Sequence, residues 1–256
     1  MSRWKQYGWS LISAVRFLTI FPVPAGWPKE QDAQVIQSGS ILFYPLVGLF
    51  IGLILFNVDL MVHVFSAELT AVFLLTTWVI ITGALHLDGL ADSADAWLGG
   101  HGNKEKTLVI LQDTHSGVAA IVAVVLVLLF KLILLAELNT NLIIALILTP
   151  VISRTAVIGL LVSTSYVRDN GIASTMMSSL PVKSIWISVL LIAALIIVWF
   201  GWHGILIVIS VGVAVMLFRY MIYRRIGGTT GDTAGALIEL IEILVLFDFV
   251  VIEQLL

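Results

Sequence analysis

Three aspartates, Asp88, Asp92 and Asp95, stand at i, i+4 and i+7 in the stretch from Gly83 to Trp97. On a helix that spacing puts all three on one face, about one turn apart. Like charges so close repel unless something positive lies between them. An all-oxygen acidic set suits Mg²⁺ or Mn²⁺ better than zinc. Asp88, Asp92 and Asp95 are therefore read as catalytic metal ligands. The alternative is a solvated helix start, but the dipole favours acids only within the first turn. His86, two residues before Asp88, is either a structural hydrogen-bonding partner or a group with a part in catalysis.

A second run, from Gly227 to Ala236, contains Gly228, Thr230, Gly231 and Asp232. A glycine-rich turn leading into a helix offers free backbone N–H groups and the positive dipole end to an anion. Gly228, Thr230 and Gly231 are thus candidate phosphate-binding positions. Asp232 would repel that anion unless it also binds metal, so the run reads as metal plus phosphate. The alternative is a plain N-cap with loop glycines. Glu239 lies two turns after Asp232 on the same face and joins the metal set, with Glu242 one turn further. Acids within a span usually face a polar interior. Arg154, near Pro150, either neutralises Glu239 or Glu242 or binds phosphate. Lys131 sits inside an apolar run and receives no role. These residues point to metal-dependent phosphoryl or phosphodiester chemistry at a membrane face.

The elements that must position these groups follow from composition. The chain is 60% hydrophobic and 11% charged, with a mean hydropathy of +1.09. Soluble domains carry about 25% charged residues. The chain therefore reads as an all-α, polytopic integral membrane bundle forming one domain over residues 1–256. Without cysteine it has no disulfide or thiolate metal site. No P-loop or Rossmann glycine motif is present, and no nucleic-acid partner is expected.

Hydropathy predicts about seven transmembrane helices: 40–56, 69–87, 118–135, 141–163, 185–202, 205–223 and 234–252. Residues 8–24 are short for a span and carry Arg16, so an interfacial or re-entrant helix is expected there. Pro45, Gly48 and Gly52 predict a kink and close helix packing, and Pro150 a break in the fourth span. One set of loops holds Arg3, Lys5, Lys29, Lys104, Lys106, Arg168, Lys183, Arg224 and Arg225. The opposite loops, 57–68, 137–140 and 203–204, hold no lysine or arginine. The positive-inside rule makes the first set cytoplasmic. The expectation is a multi-pass protein of the cell membrane with its active site on the cytoplasmic face.

At these residues the sequence resembles the cobalamin synthase family, adenosylcobinamide-GDP ribazoletransferase. The likeness runs through Arg16-Phe17-Leu18-Thr19, Pro45-Leu46-Val47-Gly48, His86 to Asp92 with Asp95, Ser153-Arg154-Thr155-Ala156, and Gly227 to Ala236 with Glu239. It implies that α-ribazole, or its 5′-phosphate, displaces GMP from adenosylcobinamide-GDP, giving adenosylcobalamin or its 5′-phosphate. It implies Mg²⁺ as cofactor and the lipid bilayer as surroundings. In the middle loop the family reads Asp-Ser-Arg-x-Gly-Thr-x-Gly, where this chain has Asp113-Thr114-His115-Ser116-Gly117-Val118-Ala119-Ala120. Asp113 and His115 thus take the places of phosphate-binding residues, and histidine replaces arginine's fork only in part. Two other readings compete: a CDP-alcohol-type membrane phosphotransferase, and an ion-coupled transporter, whose sites use interrupted helices near the midplane.

Overall fold

In hydrocarbon a chain must satisfy every backbone N–H and C=O within itself, so apolar runs become helices. The computed structural model describes residues 3–23, 30–113, 115–168, 176–177 and 179–255. Its helices are α1 (Arg3–Leu18), α2 (Glu30–Ser40), α3 (Tyr44–Val62), α4 (Ala67–Thr82), α5 (Leu85–Gly99) and α6 (Lys104–Ile110). They continue as α7 (Val118–Glu137), α8 (Leu142–Ser163), α9 (Val182–Phe200), α10 (Trp202–Ile226) and α11 (Gly231–Leu255). Among the described residues there is no strand, only an isolated bridge between Tyr166 and Thr229.

By length and apolarity five described helices can cross a membrane: 33–62 (α2 running into α3), α7, α8, α9 and α10. Taken together as one span, the bent pair α4–α5 would be a sixth. The expected seventh, α11, is long enough, but Asp232, Glu239, Glu242 and Asp248 keep it outside an apolar criterion. It packs along α5, α7, α8 and α10 inside the bundle. Its acids are tolerated because Glu239 and Glu242 are buried against partners rather than facing lipid.

Close packing at Gly48 and Gly52 is as expected. A Cβ at Gly48 would lie 2.3 Å from the Pro150 carbonyl oxygen, and one at Gly52 would lie 2.7 Å from Ile147 Cα. The two prolines sit differently in their helices. Pro45 stands in the first turn of α3, where its missing N–H costs nothing, directly after the 3₁₀ turn Ile41–Phe43 that joins α2 to α3. Pro150 lies inside a continuous α8, which it does not break. The outer loop expected over 57–68 shrinks to 63–66, because α3 carries on to Val62.

The second span does not deliver the acids directly. It ends at Thr82, and Gly83 (φ 61°) and Ala84 (φ 56°) turn the chain by 85° into α5. The acidic helix is thereby a separate element, packed chiefly on α11 and α7. α1, read as interfacial, rests on α2 and α3 at the same end. Ser10 Oγ donates to the Ile36 carbonyl (3.0 Å) and Ile20 N–H to that of Ile81 (3.0 Å). Pro24, the end of the segment expected to be interfacial, lies outside the described residues.

Candidate active site

The first turns of α5 and α11 cross in direct backbone contact. A Cβ at Gly89 would sit 2.6 Å from the Asp232 carbonyl oxygen, and one at Gly235 would sit 3.3 Å from His86 Cα. One glycine on each helix lets the two backbones meet, as in small-residue helix crossings. The crossing sets Asp88 beside Asp232 at the mouth of a cavity of about 360 Å³. His86, Tyr166, Gly231 and Arg16 line the same cavity. Asp92, next along α5, feels the charges of Asp88, Asp232 and Asp95, with Arg168 the one opposing cation.

The chain between α8 and α9 holds the start of α11 in place. Thr229 N–H donates to the Ser165 carbonyl (2.9 Å) and Val167 N–H to that of Thr229 (2.9 Å). Gly228 is needed for this pairing, since a Cβ there would lie 2.2 Å from the Ser165 oxygen. The pairing brings two residues to the site. Arg168 Nη2 donates to Asp232 Oδ2 (2.7 Å) and to the Leu111 carbonyl (2.7 Å). The Tyr166 hydroxyl lies 3.9 Å from the position of a Cβ on Gly231. Burial, the largest influence, holds that hydroxyl above the ordinary phenol range, so it stays protonated.

Thr230 and Thr233 cap α11 reciprocally: Thr233 N–H donates to Thr230 Oγ1 (3.2 Å), and Thr230 N–H to Thr233 Oγ1 (2.8 Å). Thr230 is thereby a helix cap, its hydroxyl fully buried. The expected phosphate-binding set, Gly228, Thr230 and Gly231, divides. Gly228 and Thr230 shape the turn, and Gly231 faces the cavity.

Residues 10–251 match the family model described as cobalamin-5-phosphate synthase. The chain belongs to that family. Among curated relatives it is 44% identical over 235 residues to an adenosylcobinamide-GDP ribazoletransferase of Pseudomonas fluorescens (strain Pf0-1), covering 91% of this chain and 95% of the relative. It is 46% identical over 235 residues to one from Pseudomonas putida (strain GB-1), covering 91% and 94%. A third, from Stutzerimonas stutzeri (strain A1501), is 44% identical over 239 residues, covering 92% and 95%. No solved structure matches the chain.

The other residues expected at the site have different partners. Asp95 is bonded to the start of α7. Its Oδ1 accepts Ala120 N–H (2.9 Å) and its Oδ2 accepts Gly117 N–H, so it caps α7 from across the fold. Gly117 permits that approach, because a Cβ there would lie 2.8 Å from the carboxylate. Asp113 accepts the His115 backbone N–H (3.0 Å) and stands 2.8 Å from its Nδ1. Those side chains are 54% and 90% exposed, a local turn rather than part of the cavity. His115 holds the Asp113 carboxyl below the usual carboxylate range through these bonds.

Glu239 and Arg154 belong to a buried charge cluster behind the site. Lys131 Nζ bonds Glu239 Oε2 (2.7 Å) and Glu242 Oε2, and Arg154 Nη1 bonds Glu242 Oε1 and Ser153 Oγ (3.0 Å). Two cations meet two acids, and Lys131 also lies 5.1 Å from the Trp78 ring centroid. Glu239 is engaged by Lys131 and stands about 10 Å along α11 from Asp232. Arg154 is 0% exposed, so its expected contact with a substrate phosphate gives way to the ion pair with Glu242. Sequence reasoning gave Lys131, Arg168, Tyr166 and Arg16 no part in a site. For Arg16 the signal was available, in the Arg-Phe-Leu-Thr motif.

Proposed function

We propose that this chain joins α-ribazole, or its 5′-phosphate, to adenosylcobinamide-GDP with release of GMP, at the cation-bearing face of the cell membrane and with Mg²⁺. A hydroxyl of the ribazole forms a P–O bond to the phosphorus on the cobinamide side, and the bridging P–O bond to GMP breaks. The reading rests above all on the Gly89–Asp232 backbone contact, which brings the two motifs to one cavity mouth.

Asp88, Asp92 and Asp232 are the acids assigned to a metal: Asp95 caps α7 and Glu239 is held by Lys131, while Asp232 is also paired with Arg168. Among the described residues, no three such side chains stand together as a closed ligand set. Mg²⁺ is commonly held by one or two carboxylates, with substrate phosphates and water completing its shell. Held by these acids, Mg²⁺ would supply positive charge to the diphosphate as its bridging bond breaks.

The chain's own groups supply the rest. Arg168, fixed on Asp232, and Arg16 across the cavity bring positive charge to the diphosphate. The start of α11, with Gly231 on the cavity wall, turns the positive end of its dipole to the site. The protonated Tyr166 hydroxyl is a donor at the same place. Asp88 and Asp232, both lining the cavity, are in reach of the attacking hydroxyl's proton.

The test is corrinoid-dependent GMP release by the purified protein, with Mg²⁺ present or removed by chelation. Release that needs all three of adenosylcobinamide-GDP, α-ribazole and Mg²⁺ is expected. Undiminished release in chelator would refute the metal assignment.

A further inference from the structure

A second cavity, of about 400 Å³, lies between α8, α9 and α10 and shares no lining residue with the acidic one. Two glycines inside helices form part of its wall, Gly159 on α8 and Gly212 on α10. Glycine weakens a helix interior, and membrane helices usually exchange that loss for close backbone contact. Gly48 and Gly52 do so. Gly159 and Gly212 do not, because a Cβ at either would meet nothing within 4 Å. These two glycines open a space instead of closing one.

The space has the length and the ends of a lipid site. From Ile207 to Arg219, both on its wall, α10 rises about 18 Å, close to the hydrocarbon depth of one leaflet, about 15 Å. A groove of that length, lined almost wholly by apolar side chains, suits a hydrocarbon chain. Arg219 is the one charged residue lining the cavity. Its Nε is fixed by the Ser163 carbonyl (3.0 Å) and Thr164 Oγ1 (3.2 Å), while its two Nη groups take no described partner. That leaves an oriented fork of donors for a phosphate. Trp186 lines the same end, and Lys183 opens α9 beside it. Aromatic rings and cations together mark the headgroup level of a bilayer.

We propose that this groove binds an anionic glycerophospholipid, with one acyl chain along Gly159 and Gly212 and the phosphate on Arg219. The test reconstitutes the full chain in vesicles of equal phosphatidylglycerol and phosphatidylcholine, extracts it in mild detergent and counts retained lipids by native mass spectrometry. Wild-type protein is expected to keep phosphatidylglycerol over phosphatidylcholine by about fivefold, the factor one interfacial arginine is worth. Gly212→Leu, which fills the groove, should keep neither. Arg219→Gln should keep both without preference. Gly159→Ile fills the groove from the other helix and serves if Gly212→Leu does not fold, as judged by thermal unfolding. Equal retention of the two lipids by wild type would overturn the proposal. So would retention unchanged in both filled variants, or a filled variant whose only change is a lost oligomer, which would make the groove a protein interface.

Discussion

A Cβ added to Gly89 would lie 2.6 Å from the carbonyl oxygen of Asp232, 143 residues further along the chain (232 − 89). No real side chain tolerates that contact, so the crossing of α5 and α11 depends on a hydrogen at this position. Gly89→Ala forces the Asp232 backbone to shift, at about 1–3 kcal/mol for overpacking. A displacement of about 1 Å at a reacting centre costs about a hundredfold in rate. The variant is expected to fold with a lowered melting temperature and to release GMP at about one hundredth of the wild-type rate. Near-normal turnover would mean that the crossing does not set the site.

Asp92 and Asp95 stand one turn apart, and Asp95 is taken up by the cap of α7. Asp95→Ala removes both acceptors that cap α7, and should destabilise the protein by about 1–2 kcal/mol. Asp95→Asn keeps one acceptor oxygen and should recover most of that stability. Asp92→Asn should leave thermal unfolding unchanged and lower turnover by at least about a hundredfold. If Asp95→Asn proves as inactive and as stable as Asp92→Asn, Asp95 acts in the chemistry rather than in the cap.

The convergence of the two motifs was legible because it needs only local patterns: the i, i+4, i+7 acids, the glycine-rich helix start and the separation of cations among loops. The 85° turn was not. Hydropathy runs unbroken from Leu69 to Leu87, and only the positive φ of Gly83 and Ala84 separates the helices. The partners of Asp95 lie 22 and 25 residues away on another helix. Lys131 is intelligible only with α4, α7, α8 and α11 assembled. Arg168 owes its place to the pairing of 165–167 with Thr229, for which a single short loop carries no periodic signal.

Lys131 holds two buried carboxylates at once. Lys131→Met would leave Glu239 and Glu242 with Arg154 as the remaining cation of the cluster. Breaking a buried pair by removing one partner costs about 3–5 kcal/mol. Thermal unfolding in detergent should show that loss, and Lys131→Met combined with Glu239→Gln should restore part of it. A single variant as stable as wild type would show that the cluster does not hold the helices together.

Orientation can be read directly in this cysteine-free chain. Val64, 73% exposed in the turn between α3 and α4, and Glu105, exposed on α6, lie at opposite ends of the bundle. In intact cells an impermeant maleimide should label Val64→Cys and miss Glu105→Cys, following the cation asymmetry. The reverse pattern would turn the protein over.

The most direct test of the shared site is corrinoid-dependent GMP release by Asp92→Asn, Asp232→Asn and the double variant, with unfolding followed in parallel. If the acids of α5 and α11 act as one unit, each single variant is severely impaired and the double is scarcely worse than either, as for groups that work together. Rate losses that multiply, or an Asp232→Asn protein that stays active, would contradict the account.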